Sequence, residues 1–189
     1  MRVIAGSAKG HRLRVPAVRG LRPTGDRARE SLFAVLSPRL AGARVLDLFA
    51  GSGALGIEAL SRGAAAAVFV DRHRRARAVL AANLKACGLT STHILGGDWR
   101  WALRRLGRDG ESFDLVLCDP PYSWTAAHRC LVELGRDQLL ADKGLAVIEH
   151  RASTPPESCP GWCRQRLLVV GDTAFSCYAL RSTNRIASP

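Results

Sequence analysis

Residues 45–60 read Val45-Leu46-Asp47-Leu48-Phe49-Ala50-Gly51-Ser52-Gly53-Ala54-Leu55-Gly56-Ile57-Glu58-Ala59-Leu60. A short, almost unbroken apolar run is the pattern of a strand covered on both faces, and the small residues after it make a tight turn into a helix. Gly51, Gly53 and Gly56 form G-x-G-x-x-G, and Asp71 follows Gly51 by 20 residues, ending a second apolar run at Phe69-Val70-Asp71. That spacing is the fingerprint of an adenosine-type cofactor bound where strand gives way to helix.

The same rhythm continues outward. THILGGD (92–98), FDLVLCDPPY (113–122) and GLAVIEH (144–150) are strand-like and separated by amphipathic stretches. The alternation predicts a parallel sheet with helices on both faces. RLLVVGDTAFSCYAL (166–180) reads as two strands about Gly171-Asp172, an antiparallel hairpin closing one edge. Upstream, Arg2-Val3-Ile4-Ala5 and His11-Arg12-Leu13-Arg14-Val15 flank Gly6 to Gly10 and predict a β-hairpin. Ala28, Leu32, Val35 and Leu36 then predict a helix with Thr24 or Asp26 as cap, stopping before Pro38.

The chain has 189 residues, 47% of them hydrophobic, and a mean hydropathy of +0.00. Such a composition excludes an intrinsically disordered chain. No apolar run approaches the roughly 20 residues of a membrane span, and the charged start MRVIAGSAKGHRLR is unlike a signal peptide. A cytoplasmic protein with no membrane association is expected. Net charge is +12, and residues 1–44 hold nine Arg and one Lys against Asp26 and Glu30. Further clusters at Arg72 to Arg77 and Arg100 to Arg108 point to a polyanionic partner, a nucleic acid. Six cysteines read as reduced thiols in a cytosolic chain. Cys159 and Cys163 resemble half a zinc site without a second pair, so no metal is expected.

Asp47, Asp71 and Asp98 fall at the carboxyl ends of successive strands, the edge where such sheets bind ligands. Asp71 is placed to accept both hydroxyls of a ribose. Asp98 suits either an adenine amino group, with Trp99 or Leu117 packing nearby, or the N-cap of WRWALRRL, and both readings stay open. The fourth strand ends in Asp119-Pro120-Pro121-Tyr122. An exocyclic base amine is a poor nucleophile because its lone pair is delocalised into the ring. The Asp119 carboxylate and the Pro120 carbonyl can accept hydrogen bonds from such an amine, and Tyr122 offers a stacking face for a flipped base. With a sulfonium methyl in line, positioning supplies most of the catalysis.

With these segments the chain resembles the bacterial small-subunit rRNA guanine-N2 methyltransferases that use S-adenosylmethionine, over residues 1 to about 181. RVIAGSAKGHRL and RPTGDRARESLF carry the resemblance more specifically than the glycine loop or DPPY. It implies a Rossmann-like, seven-stranded α/β methyltransferase sheet, mostly parallel with its last strand antiparallel. It also implies a basic N-terminal hairpin extension, 1–20, contacting rRNA through Arg2, Lys9, Arg12 and Arg14. The methyltransferase domain would be 21–181 and the tail 182–189. The implied activity is methylation of one guanine N2 in 16S rRNA of the assembled or nearly assembled small subunit, with no obligate protein partner. By position, Thr24, Asp26 and Arg27 match the segment closing over the methionine end of the cofactor; Thr24 and Arg27 join Asp47, Gly51, Gly53, Asp71 and Asp98 as expected cofactor contacts. Ala5 stands where a glycine is common and His11 where arginine is usual.

Three rivals are weighed against that reading. A DNA adenine-N6 methyltransferase would use the same tetrad but leaves little chain for a DNA-reading domain. A noncatalytic RNA-binding assembly factor would not need Asp119 and Tyr122. An NAD-dependent oxidoreductase shares the glycine fingerprint but not Asp47 or DPPY.

Overall fold

The computed structural model describes residues 1–17, 25–120, 127–156 and 158–181. Each apolar run is a strand: β1 (Arg44–Leu48), β2 (Ala66–Asp71), β3 (Thr92–Gly96), β4 (Phe113–Cys118), β5 (Leu140–Arg151), β6 (Trp162–Val170) and β7 (Thr173–Leu180). They form one sheet in the order β3-β2-β1-β4-β5-β7-β6. β1 to β5 are parallel to one another, and β7 runs antiparallel to both β5 and β6. The expected seven-stranded, mostly parallel sheet with an antiparallel last strand is the one found.

The chain winds outward through β1, β2 and β3, then returns to place β4 on the other side of β1. Between β1 and β4 the winding reverses, which opens a crevice at the carboxyl edge of the sheet. Alternate residues of the strands feed two cores. Val45, Phe69, Leu115, Leu117 and Val147 pack with α1 (Asp26–Leu36), α2 (Ala54–Ser61) and α3 (Arg74–Ala86) on one face. Leu46, Leu48, Val70, Val116 and Ile148 pack with α4 (Trp99–Arg108) and α5 (Ala127–Arg136) on the other. Each such Leu, Ile or Phe contributes roughly 1.5–3 kcal/mol by burial, so helices held on both faces leave the strand ends, not the faces, for ligands. No helix is long and apolar enough to cross a membrane among the described residues.

Two local expectations are corrected. The N-terminal hairpin is not a pair of strands: a single isolated bridge joins Arg2 and Arg12, with Val3 donating to His11 O at 3.0 Å and Leu13 to Met1 O at 3.1 Å. The neighbouring amides are taken by α2 instead. Ile4 and Ala5 donate to the Glu58 carboxylate at 2.8 and 3.0 Å, and Ala8 donates to Ser61 Oγ at 2.9 Å. Gly6, at φ +86°, permits this docking, since a Cβ there would lie 1.7 Å from Ser61 O. Val3, Ala8 and Leu13 are buried in the same core as α1 to α3. The second correction concerns the cap of α1. Gly25 is the N-cap and Asp26 the first helical residue, its carboxylate accepting from Arg29 Nη2 at 2.7 Å, while Thr24 lies outside the described residues. The helix ends at Leu36, as Pro38 demands, and passes into a 3-10 turn at Ser37–Arg39.

Arg29 and Glu58 are both fully buried and 3.6 Å apart. Glu58 also pairs with Arg62 at 2.7 Å, and Arg29 donates to Arg2 O at 2.7 Å. Removing either partner would strand a buried charge, so the pair binds the N-terminal segment, α1 and α2 into one unit.

Candidate active site

Leu48 of β1 is paired with Cys118 of β4. The next residues, Phe49 and Asp119, therefore leave the same edge side by side, one into the glycine loop and the other into DPPY. Asp71 ends β2, and Asp98 follows β3 after Gly97. The carboxylates of Asp71, Asp98 and Asp119 thus gather along the edge of a protein whose net charge is +12, a local reversal of sign that suits a cationic ligand.

Asp47 is buried on the α2 face, and its Oδ2 accepts from Gly56 N at 2.8 Å. Burial pushes its carboxyl up to about 7; the Gly56 hydrogen bond opposes this and the charge of Asp71 adds to it. Asp71 uses both oxygens internally, Oδ2 accepting from Gly51 N at 2.9 Å and Oδ1 from His73 N at 2.7 Å. Each oxygen keeps a further lone pair. Asp98 is the N-cap of α4, accepting from Arg100 N at 3.0 Å through Oδ1, and it stays exposed. Of the two roles left open for Asp98, the cap is thus present.

The loop glycines answer to packing as much as to any ligand. A Cβ on Gly53, at φ +81°, would lie 2.2 Å from Leu80 of α3, and one on Gly56 would lie 2.3 Å from Phe69 of β2. Gly51 has φ 56°, and its N–H is already given to Asp71. Phe49 also has positive φ, 63°, a conformation costly for a bulky residue. Its ring lies 6.1 Å from that of Trp99. Backbone strain therefore sits where β1 turns into the loop.

Asp119 is half-buried and Pro120 buried; Pro121 and Tyr122 lie outside the described residues, as does Thr24. Cys118 Sγ and Cys130 Sγ are 3.3 Å apart in the core behind Asp119, and burial pushes the Cys118 thiol up. Arg27 is exposed on the first turn of α1. Arg2, Lys9, Arg12 and Arg14 are all exposed, though Arg2 Nε lies 3.9 Å from Asp26. Cys159 is buried and Cys163 exposed, and the described residues contain no group of three or more potential metal ligands.

Two contributors escape the reading of the sequence. Asn83 lies on the apolar stripe of α3 with Ala76, Leu80 and Leu84. Its carboxamide accepts from Arg14 N, and donates to Arg14 O and to Ser52 O, all at 2.9 Å. Glu58 is likewise a lone acid in an apolar helix. In both cases a polar residue on an apolar stripe is the available signal.

The family model described as Conserved hypothetical protein 95 matches residues 1–179. The chain belongs to this family. It is 38% identical over 183 residues to YlbH of Bacillus subtilis, provisionally named an rRNA methyltransferase, covering 96% of this chain and 100% of that protein. It is 35% identical to Ribosomal RNA small subunit methyltransferase D of Escherichia coli K12, over 94% of this chain and 89% of the relative. The solved structure of Escherichia coli yhhF, provisionally titled a methyltransferase, superposes with a TM-score of 0.83 at 35% identity, covering 94% and 96% of the two chains. Membership makes the chain a methyltransferase.

Proposed function

We propose that the chain transfers a methyl group from S-adenosylmethionine to the exocyclic N2 of one guanine in 16S rRNA, within an assembled or nearly assembled small subunit. The observation that carries this is the pairing of Leu48 with Cys118, which sends the glycine loop and Asp119-Pro120 out from adjacent strands. Base-amine acceptors therefore stand beside the cofactor crevice. The names of the relatives support rRNA as the substrate, and the basic surface supports a polyanion.

The residues present fit the cofactor. The spare lone pairs of the two Asp71 oxygens suit vicinal ribose hydroxyls, the exposed Asp98 carboxylate suits an adenine amino group, and the acidic edge suits a sulfonium and an ammonium. Gly51 and Gly53 shape the loop between them, Asp47 anchors its helix, and Thr24 and Arg27 belong to the segment assigned to the methionine end. When bound, S-adenosylmethionine supplies an electrophilic methyl and leaves as a neutral thioether.

The protein's own part is to hold the amine. Asp119 and the Pro120 carbonyl accept its two hydrogens, drawing the lone pair out of conjugation and aiming it at the methyl carbon. Tyr122 stacks on the flipped base. Once the nitrogen has bonded to carbon it is cationic, and Asp119 is the acceptor for the proton it sheds. Orientation and charge complementarity do the work, without a metal. Arg2, Lys9, Arg12 and Arg14, on residues 1–20, hold rRNA phosphates beside the domain formed by 21–181. The reaction belongs in the cytoplasm and needs no protein partner beyond the subunit itself.

Labelled methyl transfer to small subunits from a strain lacking this protein, followed by nucleoside analysis, tests the reading. The expected product is N2-methylguanosine; N6-methyladenosine, or no transfer, overturns it. Asp119→Ala should lower transfer by about two orders of magnitude or more while S-adenosylhomocysteine affinity stays within a few fold.

A further inference from the structure

α4 has two unlike faces. Trp99, Ala102, Leu103 and Leu106 are buried against the sheet. Trp101, Arg104, Arg105 and Arg108, at the i, i+3, i+4 and i+7 positions of the outer stripe, are exposed. A solvated helix face ordinarily mixes charges of both signs, whereas this one presents three arginines and a tryptophan.

Trp101 is 39% exposed. Its ring rests on the backbone at Gly97, where a Cβ would come within 3.0 Å of the ring. The Arg105 guanidinium carbon lies 5.7 Å from a Trp101 ring centroid. Arg105 is also 3.5 Å from Asp109, the acid at the end of the stripe. Beyond Trp101, Arg104 and Arg108 line a cleft of about 720 Å³ together with Arg136 of α5. Its acids are Glu111, which is paired with Arg44, and Asp137. Arg136 makes a loose contact with Glu133, at 3.9 Å.

We infer that this stripe is a second contact surface for single-stranded rRNA, with Trp101 stacking on an unpaired base and Arg104, Arg108 and Arg136 holding phosphates. The inference rests on the rRNA reading above. Charge complementarity chooses the partner, because the arginines call for a polyanion. Only a polyanion that also exposes flat aromatic faces uses the tryptophan. The position fits as well. α4 starts beside Asp98 at the cofactor edge and runs ten residues, about 15 Å, toward the opposite edge. A strand whose target base is held at Asp119 can therefore continue along α4.

The test uses the full chain, a labelled single-stranded oligoribonucleotide of mixed sequence, S-adenosylhomocysteine and small subunits. Trp101→Ala should weaken oligonucleotide binding by about 5- to 150-fold with little change in salt slope. Trp101→Phe should recover much of the loss. Arg104→Ala with Arg108→Ala should flatten the slope of log affinity against log salt by roughly 1.4, two contacts at about 0.7 each on a single strand. Cofactor affinity should hold in all of them, and the deficit on subunits should fall on KM rather than kcat. Variants that bind the oligonucleotide and subunits like the wild type overturn the α4 surface and leave the methylation reading standing. A wild type that transfers no methyl to subunits overturns that reading instead. The α4 surface then falls too if the oligonucleotide is also left unbound.

Discussion

Asn83 holds Arg14 by both of its backbone polar groups, accepting from its N–H and donating to its carbonyl, while the same carboxamide reaches Ser52 O in the glycine loop. One buried side chain thus joins the basic N-terminal segment to the glycine loop. Replacement by Leu strips the partner from the buried Ser52 carbonyl and from both part-buried backbone groups of Arg14, each loss costing up to about 1–3 kcal/mol. Asn83→Leu should lose several kcal/mol of stability in a urea titration. Asn83→Asp should do no better, since it turns an oxygen toward two carbonyls. A melt unchanged in both variants would show that water replaces the carboxamide.

Asp71 ties Gly51 and His73 and is assigned the ribose. Asp71→Ala should therefore weaken S-adenosylhomocysteine binding by roughly 30- to 150-fold, the loss of hydrogen bonds to a charged acceptor, and lower the melting temperature as well. Calorimetry on the folded variant checks this, and undiminished binding would remove Asp71 from the cofactor site.

The raised carboxyl of Asp47 has a pH signature. A folded value of about 7 against an ordinary 3.8 means that the native state holds the proton more tightly. Its contribution is then fully present in acid and is lost as pH rises from about 4 to 7, on the order of a few kcal/mol. His150 acts in the opposite sense: burial lowers it, so its penalty appears on acidification. Asp47→Asn keeps an acceptor for Gly56 N–H and should flatten the Asp47 component, leaving that of His150. Urea titrations of both proteins between pH 5 and 8 should show a difference that grows with pH. A constant difference would mean that Asp47 does not titrate there.

Deleting the first residues is a poor test of RNA contact, because it bares Val3, Ala8 and Leu13 of the core and the charges of Arg29 and Glu58. Lys9→Ala and Arg12→Ala avoid this, both side chains being exposed. Each should lower the salt slope of rRNA binding by roughly 0.7 to 0.9, without moving the melting temperature. Unchanged slopes would make this segment structural alone.

The sheet was legible because strands covered on both faces need near-continuous apolar runs, and Asp71, Asp98 and Asp119 mark where three of those runs stop. The N-terminal pairing is shorter than the expected hairpin because alternation in Arg2 to Val15 records burial of Val3 and Leu13 but not where the amides go. Ile4 and Ala5 give theirs to Glu58, more than 50 residues away, and local periodicity carries no trace of such a partner. Asn83 was hidden for a related reason. Its position on α3 is that of a core residue, and only the approach of Arg14 and Ser52 makes an amide the right occupant.

The strand order has a consequence for assembly of the molecule. β6 precedes β7 in the chain, yet its one neighbour in the sheet is β7, which is inserted between it and β5. β6 has nothing to zip onto until the later strand exists, so the two dock as a hairpin folded about Gly171-Asp172. Amides of β6 and β7 should accordingly open together in native-state hydrogen exchange, whereas separate opening would mean that β6 forms without its neighbour. The edge of β5 is thus sealed by the last of the described strands to be synthesised.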